Sequence, residues 1–245
     1  MKNTMLQWLQ TVAPGDFTHP GAPRRVEFLP REDIVELQAV SASLRIVADG
    51  MACRYKLSGN GKRAILGHLF AGDICNLQAA VLKKNHHPVM ALTVCKVVEI
   101  PRTEIESILQ ERPDIALIMM ASLARDQLIA QEWHLNIGRR SSDKQLAHLF
   151  CELRKRMEMA GMASGSEFHL PLTQEELGET LGISTVHVNR VFQSLRRQSL
   201  LRLEGKHIYI PDLDRLEAFA EFDSGYLDEL FAPRPERGQG RRAQH

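Results

Sequence analysis

The spacing of hydrophobic and polar positions changes character twice along the chain. From about Val26 to Pro101, short apolar runs alternate with turn-forming residues, which predicts strands. Asp49-Gly50 and Ser58-Gly59-Asn60-Gly61 read as hairpin turns, the second separating MACRYKL from KRAILGHLF. Gly72-Asp73 marks a further turn, and LTVCKVVEI, from Leu92 to Ile100, reads as a buried strand closed by Pro101. Several short strands with regular turns imply a sandwich or jelly roll. From about Thr103 to Ile137 the period is helical. Glu111-Arg112-Pro113 interrupts it, after which DIALIMMASLARDQLIAQEWHLNI continues without Gly or Pro. Leu117, Met120, Ala124, Leu128 and Leu135 form its apolar stripe. That stripe either buries against the chain's own sheet or makes the seam of a two-stranded coiled coil, and the pattern leaves both open.

The ends and the junction read differently. Residues 1 to about 25 pattern as a short amphipathic helix followed by the Pro- and Gly-rich loop APGDFTHPGAPRR. Gly138-Arg139-Arg140-Ser141-Ser142 is a hinge, and Asp143 to about Phe222 is mostly helical with one hairpin. The closing APRPERGQGRRAQH has no large apolar residue and is expected to be disordered.

The most informative stretch is LTQEELGETLGISTVHVNRVFQSLRRQSLLRLEGKHIYI, from Leu172 to Ile210. Thr173 with Glu176 three residues later is a capping box, so a helix starts here. It buries Leu177 and Leu181 and stops at Gly182, a residue suited to the left-handed conformation. Ser184 caps a second helix whose inner stripe is Val188, Val191, Phe192 and Leu195. Two short helices joined by such a turn make a helix-turn-helix, whose second helix enters the major groove. Thr185, Val186, Asn189, Arg190 and Gln193 lie off the buried stripe, free to meet base edges. Arg190 carries the planar fork that suits guanine O6 and N7, Asn189 suits adenine or a phosphate, and Val186 can only touch a thymine methyl. His187 either touches a phosphate or packs at the helix edge. The hairpin LLRLE-GKH-IYI then places Lys206 and His207 beside the helix pair as a wing.

Composition narrows the classes. The 245 residues are 44% hydrophobic and 25% charged, normal for a folded protein and too apolar for a disordered one. Lys plus Arg is 31 against 30 for Asp plus Glu, so a polyanion partner must be argued from local charge. Locally it can be: the late acids crowd the first helix of the pair, whereas the second helix and the wing are basic. The longest mostly apolar stretch, Ile115 to Ala124, is too short for a membrane span, and MKNTMLQWLQ lacks a secretory core. Cys53, Cys75, Cys95 and Cys151 are widely spaced, with no metal-finger pattern, which favours free thiols in a reducing compartment. The expected location is the cytoplasm, with no membrane partner.

At these residues the sequence resembles the CRP/FNR family, the group of the cyclic-AMP receptor protein and the fumarate-nitrate reduction regulator. The resemblance runs through most of the chain in the same order: a cyclic-nucleotide-binding-type roll with a Gly-Asp turn (Ala71-Gly72-Asp73), a long dimerisation helix and a winged helix. It implies a transcription regulator, not an enzyme, that binds double-stranded DNA at a near-palindromic site as a homodimer and works with RNA polymerase. It also moves the long-helix stripe toward a dimer seam. By position, Arg190 matches the arginine that reads a guanine, and Asn189 precedes it where a small or polar residue is usual. Thr173 and Lys206 match backbone contacts at the first helix and the wing, and Ser184, the cap of the second helix, is a further candidate DNA contact. Val186 stands where family members usually carry a glutamate, so a different half-site is expected.

The effector side departs further from the family. The cyclic-nucleotide cassette needs a glutamate for the ribose and an Arg-Ser pair for the phosphate, whereas this chain has Leu77 and Asn85-His86. Leucine offers no hydrogen bond and neither Asn nor neutral His is a permanent cation, so no cyclic-AMP binding and no cofactor are expected. The family's iron–sulfur sensors use clustered N-terminal cysteines, and here the first is Cys53. Cys75, close to the expected effector pocket, is either a redox or haem-ligating residue or a small core thiol. A cupin-type metal enzyme would need a His-x-His pair with a following Glu and a later His, a spacing that His68, His86 and His87 lack. The expected fold class is α+β: an antiparallel β-roll (jelly roll) in residues 1–102, a dimerisation helix and hinge in 103–138, a winged helix-turn-helix in 139–222 and a disordered tail in 223–245.

Overall fold

The computed structural model describes residues 23–228 apart from 41, 83 and 164. The expected N-terminal amphipathic helix, and the tail beyond residue 228, lie outside the described residues. Seven strands build the roll: β1 (Arg24–Phe28), β2 (Asp33–Val35), β3 (Ser43–Asp49), β4 (Ala52–Leu57), β5 (Arg63–Leu69), β6 (Val89–Ala91) and β7 (Cys95–Pro101). They pair as two antiparallel sheets, β1-β7-β3 and β2-β6-β4-β5. Ser58 to Gly61 forms the β4–β5 hairpin as expected, with a bulge between Arg54 and Tyr55. Asp49-Gly50 does not make a hairpin: it carries the chain from β3 in one sheet to β4 in the other. The glycine is needed there for a different reason. Its φ is +92°, and an added Cβ would lie 2.3 Å from the carbonyl oxygen of Val94.

The sheets are buried on more than one face, which is why their strands read as nearly continuous apolar runs. Val47, Ala52, Leu69, Val89, Cys95 and Val97 fill the space between them. On the far side, Leu44, Ile46, Val98 and Ile100 pack against Ile105 of α1 (Arg102–Glu111) and Ile115 and Met119 of α2 (Pro113–Arg139). The break between these helices falls at the expected place, with Pro113 in the first turn of α2, where its missing N–H costs nothing. Residues on α2 split into two stripes. Ile115, Met119, Ser122, Arg125, Ile129 and Asn136 face inward, whereas Leu117, Met120, Leu123 and Leu135 are about half or more exposed. Ile115, Met119 and Arg125 of the inward stripe meet the chain's own roll, and Asn136 meets Gln145 of the helix that follows. Of the expected apolar stripe, Leu117, Met120 and Leu135 are left exposed within one protomer, whereas Ala124 and Leu128 are half-buried.

After Arg140 the chain turns into α3 (Ser142–Met159), followed by β8 (Glu167–His169), α4 (Gln174–Leu181), α5 (Thr185–Arg197), β9 (Arg202–Glu204), β10 (His207–Tyr209), α6 (Leu213–Ala220) and α7 (Gly225–Asp228). The expected hairpin is the larger part of a three-stranded sheet, β8-β10-β9. Residues 223–228 are structured, which corrects the expected start of the tail. Leu227 is fully buried, and Tyr226 donates from its hydroxyl to buried Glu152 at 2.9 Å and stacks beside His148. A ring and a hydroxyl with such partners hold the segment in place.

The outer face of β4, β5 and β6 joins this second half. Met51, Cys53, Ile65, Phe70, Met90 and Leu92 belong to one continuous apolar cluster with Leu146, Phe150 and Leu153 of α3, Leu177 and Leu181 of α4, and the inner stripe of α5. Burying a side chain of this size stabilises by about 2 kcal/mol. Among the described residues no helix is long and apolar enough to cross a membrane.

Candidate nucleic-acid interface

The helix pair forms as its local chemistry dictates. Thr173 Oγ1 accepts from the Glu176 N–H at 3.2 Å, and Glu176 Oε2 accepts from the Thr173 N–H at 2.7 Å, so two orphan donors of α4 are satisfied reciprocally. Helix α4 ends at Gly182, which has φ +69°. Gly178 matters equally and was not singled out from the sequence. A Cβ there would come within 2.6 Å of the Ile183 carbonyl oxygen, so the tight turn between the helices depends on it. The signal for it, a glycine inside a helical pattern, is visible but its cause is a contact five residues on. Ser184 Oγ then accepts from the His187 N–H at 3.3 Å and starts α5.

On α5 the expected inner stripe holds residue for residue: Val188, Val191, Phe192 and Leu195 are buried. Ser194 on the adjoining face donates to Asp143 of α3 at 2.5 Å, which helps set the rotation of the helix. Thr185, Val186, Asn189, Arg190 and Gln193 are all exposed on the opposite side, and His187 is half-buried between the two faces. Asn189 donates from its amide to the Thr185 carbonyl at 3.2 Å, which leaves its side-chain oxygen outward. Arg190 has no ion pair or hydrogen bond among the described residues. Arg196 and Arg197 complement the negative end of the helix dipole.

The wing stands beside this helix. In the register of β8-β10-β9, Phe168, Ile208 and Leu203 lie across from one another and turn inward. His169, His207 and Glu204 form an outward row, and exposed Lys206 sits in the turn, its carbonyl accepting from the Leu170 N–H at 2.7 Å. Thr173 is exposed at the start of α4, but its hydroxyl is already engaged twice, accepting from the Glu176 N–H and bonded to Glu176 Oε2 at 3.0 Å. Two of the three acids of α4 are engaged away from the basic surface, and Glu175 is exposed in its first turn. Glu176 is held in the capping box, and Glu179 pairs with Arg63 of β5 at 2.8 Å, on the side that faces the roll. The sequence showed those acids clustered and gave no sign of where they point.

The roll's own candidate site is differently furnished. Leu77 packs against the α1–α2 side of the core, Asn85 is buried and His86 is exposed. The arginines nearby are committed: Arg54 donates to the Ile74 carbonyl at 2.6 Å and pairs with Asp126 of α2 at 2.9 Å, and Arg45 pairs with Glu99 at 2.6 Å. Cys75 is 2% exposed, and burial, only partly offset by Arg54, pushes its thiol up to about 12. A thiol in that setting has the environment of a small core residue, not of a reactive sensor. All four cysteines are free and buried. No group of three or more His, Cys, Asp or Glu side chains among the described residues is arranged to hold a metal ion.

Comparison with known proteins agrees with this arrangement. Residues 25–112 match the cyclic nucleotide-binding domain, and residues 144–219 match the Crp-like helix-turn-helix domain. The chain is 27% identical over 209 residues to the nitrogen fixation regulation protein FixK of Bradyrhizobium diazoefficiens, covering 84% of each. It is 26% identical over 180 residues to the fumarate and nitrate reduction regulatory protein of Escherichia coli, covering 73% of this chain and 71% of that one. In fold it is similar to FixK2 from Bradyrhizobium japonicum, with a TM-score of 0.73, 21% identity and coverage of 81% of this chain and 97% of that one. A CRP-family transcriptional regulator from Thermus thermophilus gives a TM-score of 0.67 at 18% identity, covering 80% and 97%.

Proposed function

Because the chain belongs to the CRP/FNR family of transcription regulators, we propose that it binds a near-palindromic operator as a homodimer, without cyclic AMP. The observation that carries the reading is the outward face of α5. Thr185, Val186, Asn189, Arg190 and Gln193 lie exposed on a helix whose other side is fixed in the core. In this proposal Arg190 reads a guanine, Asn189 an adenine or phosphate, and Val186 a thymine methyl. Gln193 adds a further base-edge contact, Ser184 and His187 flank the groove, and Thr173 and Lys206 meet phosphates. With Thr173 Oγ1 already bonded, its contact is better made through backbone geometry than through a new hydroxyl bond.

The exposed stripe of α2 supports the dimer. Leu117, Met120 and Leu123 follow one another at three-residue steps with Leu135 twelve residues further on, and two copies side by side would cover them as a helix–helix seam. The seam would hold two recognition helices about one DNA turn apart, roughly 34 Å. The functional divisions are then a sensor-type roll up to about residue 102, a dimer helix to about 138 and a DNA-binding unit beyond it. Leu77, Asn85 and His86 support independence from cyclic AMP, since none of them replaces the missing carboxylate or guanidinium. Bound to its operator, such a dimer would act on transcription through RNA polymerase.

Selection of bound fragments from a random duplex library, with and without reductant, tests the reading directly. A two-fold symmetric consensus recovered in both conditions is the expected result. A monomeric protein that retains no duplex at low salt refutes it. A consensus recovered only with reductant would favour a thiol-based sensor instead.

A further inference from the structure

Side chains from three parts of the chain meet at one buried carboxylate. Asp73 lies in the turn that follows β5, Arg125 midway along α2 and Arg156 on α3, and they are 4%, 6% and 6% exposed. Arg125 Nη2 bonds Asp73 Oδ1, and Arg156 Nη2 bonds Asp73 Oδ2 at 2.8 Å. The Phe70 N–H also donates to Oδ2 at 2.8 Å, and the Phe70 ring lies 4.9 Å from the Arg156 guanidinium carbon. Glu152 continues the cluster, with an oxygen 3.7 Å from Arg156 and bonds from the Trp133 indole of α2 at 3.1 Å and the Tyr226 hydroxyl at 2.9 Å. Burial alone would push the Asp73 carboxyl up, but the two guanidiniums and the Phe70 amide hold it below the ordinary carboxylate range.

The two oxygens of one residue of the roll are thus divided between the long helix and the DNA-binding half. Desolvating three charges makes such a cluster a poor source of stability, because apolar side chains in the same volume would serve as well or better. What it does supply is direction. The apolar surface between β4–β6 and α3–α4 tolerates small slides, whereas a guanidinium bonded to one carboxylate oxygen, with its stem threaded through packed walls, does not. A tilt of α3 against α2 is carried outward to α5, where it changes the separation and phase of the two recognition helices.

We propose that Asp73, Arg125 and Arg156 are positioning residues for DNA binding, fixing the pose of the winged helix on the long helix so that the dimer accepts one half-site spacing. The inference rests on the homodimer reading above. It assigns the cluster a role in discrimination between operators and none in contact with DNA.

The test uses the full chain and two variants, Arg156→Met and Asp73→Asn. Asp73→Asn leaves two buried guanidiniums facing an amide, so Arg156→Met, which keeps the Asp73–Arg125 pair, carries the test if the first does not fold. Duplexes bearing the selected operator are compared with versions whose central spacer is one or two base pairs longer or shorter, and with a single half-site. The parent should prefer its own spacing by on the order of tenfold or more. In Arg156→Met that preference should shrink to within about threefold, with half-site affinity changed less than about twofold. Arg156→Lys, which restores the charge without the fork, should recover only part of it. A variant as selective as the parent overturns the inference, and so does a loss of half-site affinity equal to the loss on the full operator.

A second measurement needs no DNA and separates failure of the inference from failure of the dimer reading. Spin labels at Lys62→Cys and Glu204→Cys, both exposed positions, placed on one protomer of a mixed population, report the distance from the roll to the wing. A narrow distribution in the parent that broadens in Arg156→Met supports the proposal. An equally narrow one in the variant overturns it, whatever the protein does with duplexes.

Discussion

Acid should loosen the joint between the roll and the helix pair through one buried histidine. His68 on β5 is 3% exposed, and its Nε2 lies 3.5 Å from Thr180 Oγ1 on α4. That hydroxyl gives its proton to the Glu176 carbonyl at 2.8 Å, so it can offer the imidazole only a lone pair. Burial first, and the positive Arg156 second, lower the His68 pKa from the ordinary 6.5 to about 3. The native state therefore keeps the ring neutral while the unfolded chain takes up a proton below pH 6.5. Where the unfolded state binds more protons, stability falls as pH falls. The contribution is fully present above 6.5 and is lost progressively down to about pH 3. Between pH 7.5 and 5.0 the loss from this ring is about 2 kcal/mol, from the ratio of the two titration curves. Urea unfolding of the parent and of His68→Gln at both pH values isolates it, because every other group titrates in both proteins. The parent should lose about 2 kcal/mol more than the variant between the two pH values. Equal pH dependence in the two proteins would refute the reasoning. His148, lowered to about 4 by burial and Arg140, acts in the same direction and is the control substitution.

Three further outcomes follow from the interface and a fourth from the roll. Arg190→Ala should relax base choice at one position per half-site, by about 1–3 kcal/mol in discrimination, whereas Lys206→Ala should weaken all sequences alike and flatten the salt dependence by about one unit of slope. Competition binding against mutated operators at several salt concentrations distinguishes the two. Thr173→Ala removes the capping box and should cost about 1 kcal/mol of stability, read as a shift in the urea midpoint at unchanged slope. Isothermal titration with cyclic AMP should show no heat of specific binding, since Leu77 and Asn85-His86 replace the groups a ribose cyclic phosphate requires.

The helix pair was legible almost residue by residue because its signals are local. A cap, a left-handed glycine and an amphipathic stripe each act within a few residues, and Thr173, Gly182, Ser184 and Val188 are found in the roles their positions imply. What depends on distant pairing was not. Strand β8 is three residues long and exists only through its register with β10. Asp49-Gly50 announces a reversal of direction, but nothing local says that the next strand joins another sheet. The inward stripe of α2 escaped because Ser122, Arg125 and Asn136 interrupt it. Arg125 is buried against a partner far along the chain, Asp73, and Asn136 is buried where α2 meets Gln145 of α3. The same holds for Tyr226, in a segment that reads as the start of a tail until Glu152 and His148 are seen beside it.

Met51, Ile65, Phe70 and Leu92 share their packing with Phe150 and Leu177, and this limits how the polypeptide can be divided. A fragment ending near residue 140 would present a greasy wall to water, and the complementary fragment would lack the surface that completes its interior. Neither piece is expected to behave as an independent module, and heating the intact chain should give one cooperative transition instead of two. Exchanging the sensory half for that of a distant cousin would succeed only where the two walls were recut to fit.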